Sequence, residues 1–187
     1  MRRVVIGENS VGKSAVLSDD KAPRNTEFDY RSEKWTFMSE IWATDDVPTL
    51  PVKGGDLTVS MPSITPPPGG TRCRVLFWPP PKDLEVIQRI ITDRGSGFYE
   101  EFHKQAPGIE GTTDNATGMH TTDTIDYGYF VSGRIDLELD DGIVVHFKAG
   151  DSYVLQGTRH AWHQPYDEPC VWVVFMIGTH KKKGDGR

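Results

Sequence analysis

Along most of this chain apolar and polar residues alternate with the period of two that marks strands. Residues 3–6 (R-V-V-I) and 15–18 (A-V-L-S) predict two short strands joined by a polar turn. Lys34–Thr44 reads as a strand, its aromatic and β-branched positions running up to the turn-forming pair Asp45-Asp46. Between Val47 and Gly70, repeated Pro and Gly forbid a long helix. Arg72–Trp78 is a further strand, stopped by Pro79, Pro80 and Pro81.

One segment carries a helical pattern. Lys82–Thr92 places Leu84, Ile87, Ile90 and Ile91 on one side, and Phe98–Lys104 continues it after a glycine, up to Pro107 and Gly108. Residues 108–118 are polar and predict a loop. Beyond His120 the period returns to two. Ile135, Leu137 and Leu139 alternate with charged neighbours, Asp141-Gly142 turns the chain, and Ile143, Val145 and Phe147 alternate on the way back. Asp-Gly supplies the positive φ angles of a tight hairpin turn. Gly150 and Gly157 mark further turns, and Val171–Ile177 reads as a closing, mostly buried strand. Closely spaced strands of this kind predict an all-β sandwich or barrel, with a short helical segment near residues 82–104.

The 187 residues fit one domain with a sizeable core. A net charge of −6 without a basic stripe speaks against a nucleic-acid partner. No apolar run is long enough for a membrane span, and no signal peptide is evident at the start, so the expected location is cytoplasmic. Cys73 and Cys170 match neither zinc nor redox spacing and are expected as reduced residues. Lys181–Lys183 lie in a Gly- and Asp-flanked tail, expected to be solvated.

Candidate chemistry is concentrated in the last third, in G-M-H-T-T-D-T-I-D-Y-G-Y-F-V-S-G (118–133) and A-G-D-S-Y-V-L-Q-G-T-R-H-A-W-H-Q (149–164). A small barrel would bring His120, Asp126 and His160 to one point, as a metal site or the remnant of one. Thr122, Tyr129, Phe130, Trp162 and Gln164 are the expected pocket residues, with Tyr127 and Tyr153 as further aromatic candidates. His146 and His163 have the wrong parity and should face away. G-E-N-S-V-G-K-S at residues 7–14 fits the phosphate-loop pattern by letter, but that loop requires a helix opening at Lys13-Ser14. The following residues run into Asp19, Asp20 and Pro23, so residues 8–12 are expected as a strand-to-strand turn.

These residues resemble the two signature motifs of the cupin superfamily. His120 stands at the first His of the first motif, Thr122 at its second His, Asp126 at its Glu and Gly133 at its closing Gly. In the second motif Gly150, Gly157 and His160 match, Gln156 stands near the usual Pro, and Gln164 replaces Asn. The likeness covers roughly residues 115–178. T-I-D-Y and G-T-R-H-A-W are similar to a subgroup of single-domain bacterial cupins with an extended N-terminal region. It implies a cupin jelly-roll β-barrel, with residues 1–114 packing on the barrel and 179–187 as a tail. It also implies a small-molecule ligand and a homodimer paired through sheet edges.

Zinc and non-haem iron sites take three protein ligands and keep positions open. His120, Asp126 and His160 would supply two imidazoles and a carboxylate, favouring Zn, Fe or Ni. Asp reaches about 1.5 Å less than Glu, and Thr122 offers only a neutral hydroxyl. A metal-free site, in which both histidines hydrogen-bond Asp126, is equally open. Two functions follow. One is a small-molecule enzyme in the barrel mouth, of oxygenase, isomerase, dehydratase or decarboxylase type, with Asp126 and His120 as catalytic groups and a ring-bearing metabolite as substrate. The other is a non-catalytic small-ligand or sensor cupin.

Overall fold

A computed structural model describes residues 1–30, 33–52, 54–83, 85, 104–107 and 118–180. The helical prediction near 82–104 and the loop and tail predictions fall largely outside them. Residues 81–83, 85 and 104–105 are helical.

Eleven strands are present among the described residues: β1 (Arg2–Glu8), β2 (Ser14–Lys21), β3 (Asn25–Tyr30), β4 (Glu33–Thr44), β5 (Thr71–Trp78), β6 (Thr124–Ser132), β7 (Arg134–Leu139), β8 (Val144–Lys148), β9 (Ser152–Gln156), β10 (His160–His163) and β11 (Cys170–Gly178). A six-stranded sheet has the order β3-β4-β5-β11-β6-β9, a three-stranded sheet the order β10-β7-β8, and β1 pairs with β2. All pairings are antiparallel. The architecture is the expected all-β jelly roll, its barrel left open rather than closed. No described helix is long and apolar enough to cross a membrane.

Residues 8–12 form the expected strand-to-strand turn between β1 and β2, not a phosphate loop. Asn9 Oδ1 accepts from the Val11 and Lys13 amides at 3.1 and 3.0 Å, Gly12 takes φ +74°, and Ser14 opens a strand instead of a helix. The Asp141-Gly142 turn has φ values of 60° and 71°, the mirror-image turn that matches strand twist.

Strand β11 joins the two halves of the chain by lying between β5 and β6. Its Cys170, Trp172, Val174 and Met176 are buried with Phe130 and Ile135 as the main core. The strand alternates instead of being buried throughout: Phe175 is 40% exposed, because one face of an antiparallel sheet meets the core and the other does not. A second cluster, Met38, Ala43, Met61, Ile64 and Ala106, lies under the N-terminal half.

The proline-rich stretch has no ladder to satisfy its carbonyls, and arginines do so instead. Arg24 donates to Met61 O at 3.1 Å, Arg72 to Ser63 O at 3.0 Å, and Arg74 to Ile64 O. Buried Arg72 also pairs with Asp45 at 2.6 Å.

Candidate functional site

β5, β6, β9, β10 and β11 turn one face each toward a cavity of about 420 Å³. Period-two geometry decides what enters it. On β6, Asp126, Gly128 and Phe130 point inward while Tyr127, Tyr129 and Val131 point out. On β5 the inward set includes Arg74, Leu76 and Trp78, and on β10 it is His160 and Trp162.

His120 joins the site through a single bridge to His160. The His120 amide donates to His160 O at 2.8 Å and the His160 amide returns to His120 O at 3.0 Å. Their ring centroids stand 4.2 Å apart. Nδ1 of His120 lies 3.0 Å from Gly118 O, and Nδ1 of His160 lies 2.8 Å from Thr158 O. A carbonyl only accepts, so each Nδ1 carries the proton and each Nε2 keeps a lone pair. Burial, then the nearby His120, pushes the His160 imidazole down to about 4. At neutral pH His160 is therefore uncharged.

Asp126 is 6% exposed, and its Oδ1 has no hydrogen-bond partner. Burial raises its carboxyl above the ordinary range, against the opposing pull of Thr124, Arg74 and His120. The Thr124 hydroxyl has one proton, and it lies 2.7 Å from Thr122 Oγ1, to which it donates. Tyr153 lies across Gly128, where an added Cβ would meet the ring at 2.0 Å. Burial raises its phenol as well.

His120, Thr122, Asp126, His160 and Trp162 thus share the cavity. Three other expected pocket residues do not line it. Tyr129 is 53% exposed on the outer face of β6. Phe130 is wholly buried beneath, stacked on Phe147 at 4.8 Å. Gln164 fastens a turn, donating to Glu168 O at 2.8 Å and accepting from the Tyr166 amide at 3.1 Å. His146 and His163 face away and pair with Asp136 at 2.8 Å and Glu138 at 2.7 Å.

The sequence reading missed the walls supplied by the N-terminal half: Arg74, Leu76 and Trp78 of β5, and Phe37 and Met38 of β4. The alternation in R-C-R-V-L-F-W was the available signal, since Arg74, Leu76 and Trp78 share parity. Arg74 is held by Glu40, whose Oε1 lies 3.1 Å from Arg74 Nε, both groups being almost fully buried.

The residues do not meet the three-ligand requirement of a metal centre. Among the described residues no group of three or more His, Cys, Asp or Glu side chains is placed to hold an ion, and Thr122 stands where a second motif His would complete one. The site offers two imidazole lone pairs, one buried carboxyl and a hydroxyl.

Residues 110–176 match the family described as Cupin domain. Curated relatives come from fungi. The chain is 50% identical over 93 residues to "Phomopsin biosynthesis cluster protein C'" of Diaporthe leptostromiformis, covering 44% of this chain and 46% of that protein. It is 39% identical over 67 residues to "Oryzines biosynthesis cluster protein J" of Aspergillus oryzae, covering 36% and 32%. The chain thus spans less than half the length of the relatives it matches. A solved double-stranded β-helix protein of Klebsiella pneumoniae superposes with TM-score 0.38 at 14% identity, covering 77% of each chain.

Proposed function

We propose that this chain is an enzyme of small-molecule biosynthesis, working by proton transfer in the cupin cavity on a ring-bearing metabolite. One observation carries the reading: a buried carboxyl with an orphan oxygen shares its cavity with two histidines whose Nδ1 atoms are already committed. An unpartnered buried oxygen costs about 1–3 kcal/mol, and stability alone gives no reason to keep it.

Neutral His160 acts as general base through Nε2, taking a proton from a substrate carbon or hydroxyl. Asp126, its carboxyl raised by burial, holds or returns a proton on the neighbouring side. Trp162, Trp172 and Trp78 exclude water and stack on the ring. Isomerisation or dehydration needs no more than such an exchange. A decarboxylation would use the same acid to protonate the resulting carbanion. The names of the fungal relatives, both proteins of biosynthesis clusters, support a role in making a natural product.

A screen of ring-bearing metabolites with chelator-treated protein tests the reading. Turnover should persist in chelator and fall at least about a hundredfold in both Asp126→Asn and His160→Gln, the scale of a lost acid or base. Turnover that requires added metal would overturn it. The binding-only alternative draws on the Thr122 position, where a motif ligand is lacking. It predicts saturable binding with no turnover.

The exposed apolar side chains Tyr127, Tyr129, Val154 and Phe175 on the outer sheet face support the expected homodimer. A monomer by light scattering at micromolar concentration would contradict it.

A further inference from the structure

The cavity is lined from two sheets with different chemistry. Strand β10 of the three-stranded sheet, with His120 bridged to it, brings acceptors. Each histidine spends its Nδ1 proton on a backbone carbonyl and keeps a lone pair at Nε2. The six-stranded sheet brings donors as well as Asp126. Arg74 Nε and Trp78 Nε1 on β5 and Trp172 Nε1 on β11 are buried N–H groups, none with a hydrogen-bond partner among the described residues. All three residues line the cavity.

Arg74 is the strongest of these donors, because it carries a charge. Its Nε lies 3.1 Å from Glu40 Oε1 without an aligned hydrogen bond, so Glu40 matches the charge and leaves the N–H unspent. Nη2 donates to Ile64 O, which holds the guanidinium in place. The β5–β11 register sets Arg74 opposite Val174 and Leu76 opposite Trp172, so Trp172 is the diagonal neighbour of Arg74 on the cavity face. Trp78 follows, its ring centroid 6.1 Å from that of Trp172. A buried N–H without an acceptor is costly, and an oxygen arriving from the cavity relieves that cost. With the arginine charge already matched, the acceptor that gains most is a neutral oxygen whose negative charge grows during the reaction.

Building on the proton transfer proposed for this cavity, we infer that Arg74 receives the carbonyl oxygen of a ketone-class substrate whose adjacent C–H faces His160. The C–H proton passes to His160 Nε2, and the C–H electron pair becomes the C=C bond of an enolate. The carbonyl π pair moves onto the oxygen that Arg74 holds. Return of a proton to an enolate carbon restores the carbonyl, so nothing is oxidised or reduced overall. Donors fixed before the charge develops stabilise it without reorganising.

Acetophenone, a flat ketone, is the probe. Deuterium uptake from heavy water into its methyl group is followed by NMR with the full chain. Wild type should accelerate uptake at least about tenfold over buffer, and Arg74→Met should remove at least about tenfold of the rate, the scale of a lost oxyanion donor. Arg74→Met combined with Glu40→Gln leaves no buried charge unpaired and repeats the measurement if the single variant does not fold. Uptake that survives in the double variant but is lost in His160→Gln would overturn the inference and leave the proton-transfer reading standing. No acceleration by wild type would overturn it too, and turnover of a metabolite without a carbonyl in the screen would still support that reading. Uptake lost in the double variant but kept in His160→Gln would overturn the assignment of the base and leave Arg74 in its role.

Discussion

His120 and His160 face each other across one two-hydrogen-bond bridge, with ring centroids 4.2 Å apart and both Nδ1 atoms tied to carbonyls two residues earlier in the chain. The first motif His and the second motif His meet as backbone neighbours before they meet as side chains. Two imidazoles this close cannot both ionise cheaply, and burial holds His160 neutral.

That arrangement gives a pH dependence. His160 is depressed to about 4 in the fold against 6.5 when free, so between those values the unfolded chain binds a proton that the folded chain does not. Its stability contribution is complete above about pH 6.5 and is lost as pH falls toward 4, by at most on the order of 3 kcal/mol. Asp126 and Glu40, both raised by burial, act in the opposite sense as pH climbs out of the carboxylate range. Denaturant melts at pH 7 and pH 5 should show wild type losing more stability on acidification than His160→Gln. Equal losses would remove the buried neutral imidazole from the account.

Removing the orphan carboxyl should stabilise the protein. Asp126→Leu relieves a buried oxygen without a partner and gains apolar contact in a cavity with room for it, worth about 1 kcal/mol or more. The variant should melt at higher denaturant. A loss of stability would show that Asp126 is retained for structure.

Gly133 and Gly150 both hold positive φ, at 76° and 92°, yet differ in surroundings. A Cβ on Gly133 would meet Pro169 O at 2.1 Å, whereas one on Gly150 meets nothing within 4 Å. Gly150→Ala should cost only the backbone strain, about 1 kcal/mol, and Gly133→Ala at least about twice that in urea denaturation.

Buried Glu40 and Arg74 form a coupled pair at 3.1 Å. Glu40→Gln strands the arginine and should cost about 3–5 kcal/mol. In a double-mutant cycle, Glu40→Gln with Arg74→Met should cost less than the sum of the single changes.

The jelly roll was legible because its evidence is local. Alternation at 135–147, the Asp141-Gly142 turn and the motif glycines each fix their own stretch of backbone. Assigning residues to the site was harder, since one residue of parity separates Asp126 from Tyr127 and sends Tyr129 outward. Gln164 looked like a motif residue and is spent on its own turn. Arg74 and Trp78 come from a strand about fifty residues before Asp126, and only the insertion of β11 between β5 and β6 brings them to the cavity. No short motif encodes that insertion.

Metal content is the most direct test of the account, in which two histidines and Asp126 serve as an acid–base set and not as a metal triad. Protein purified without an affinity tag, loaded with Zn, Fe or Ni and then desalted, is assayed by elemental analysis beside His160→Ala. The account predicts substoichiometric metal in both, with no difference between them. One equivalent of transition metal in wild type that is lost in His160→Ala would contradict it.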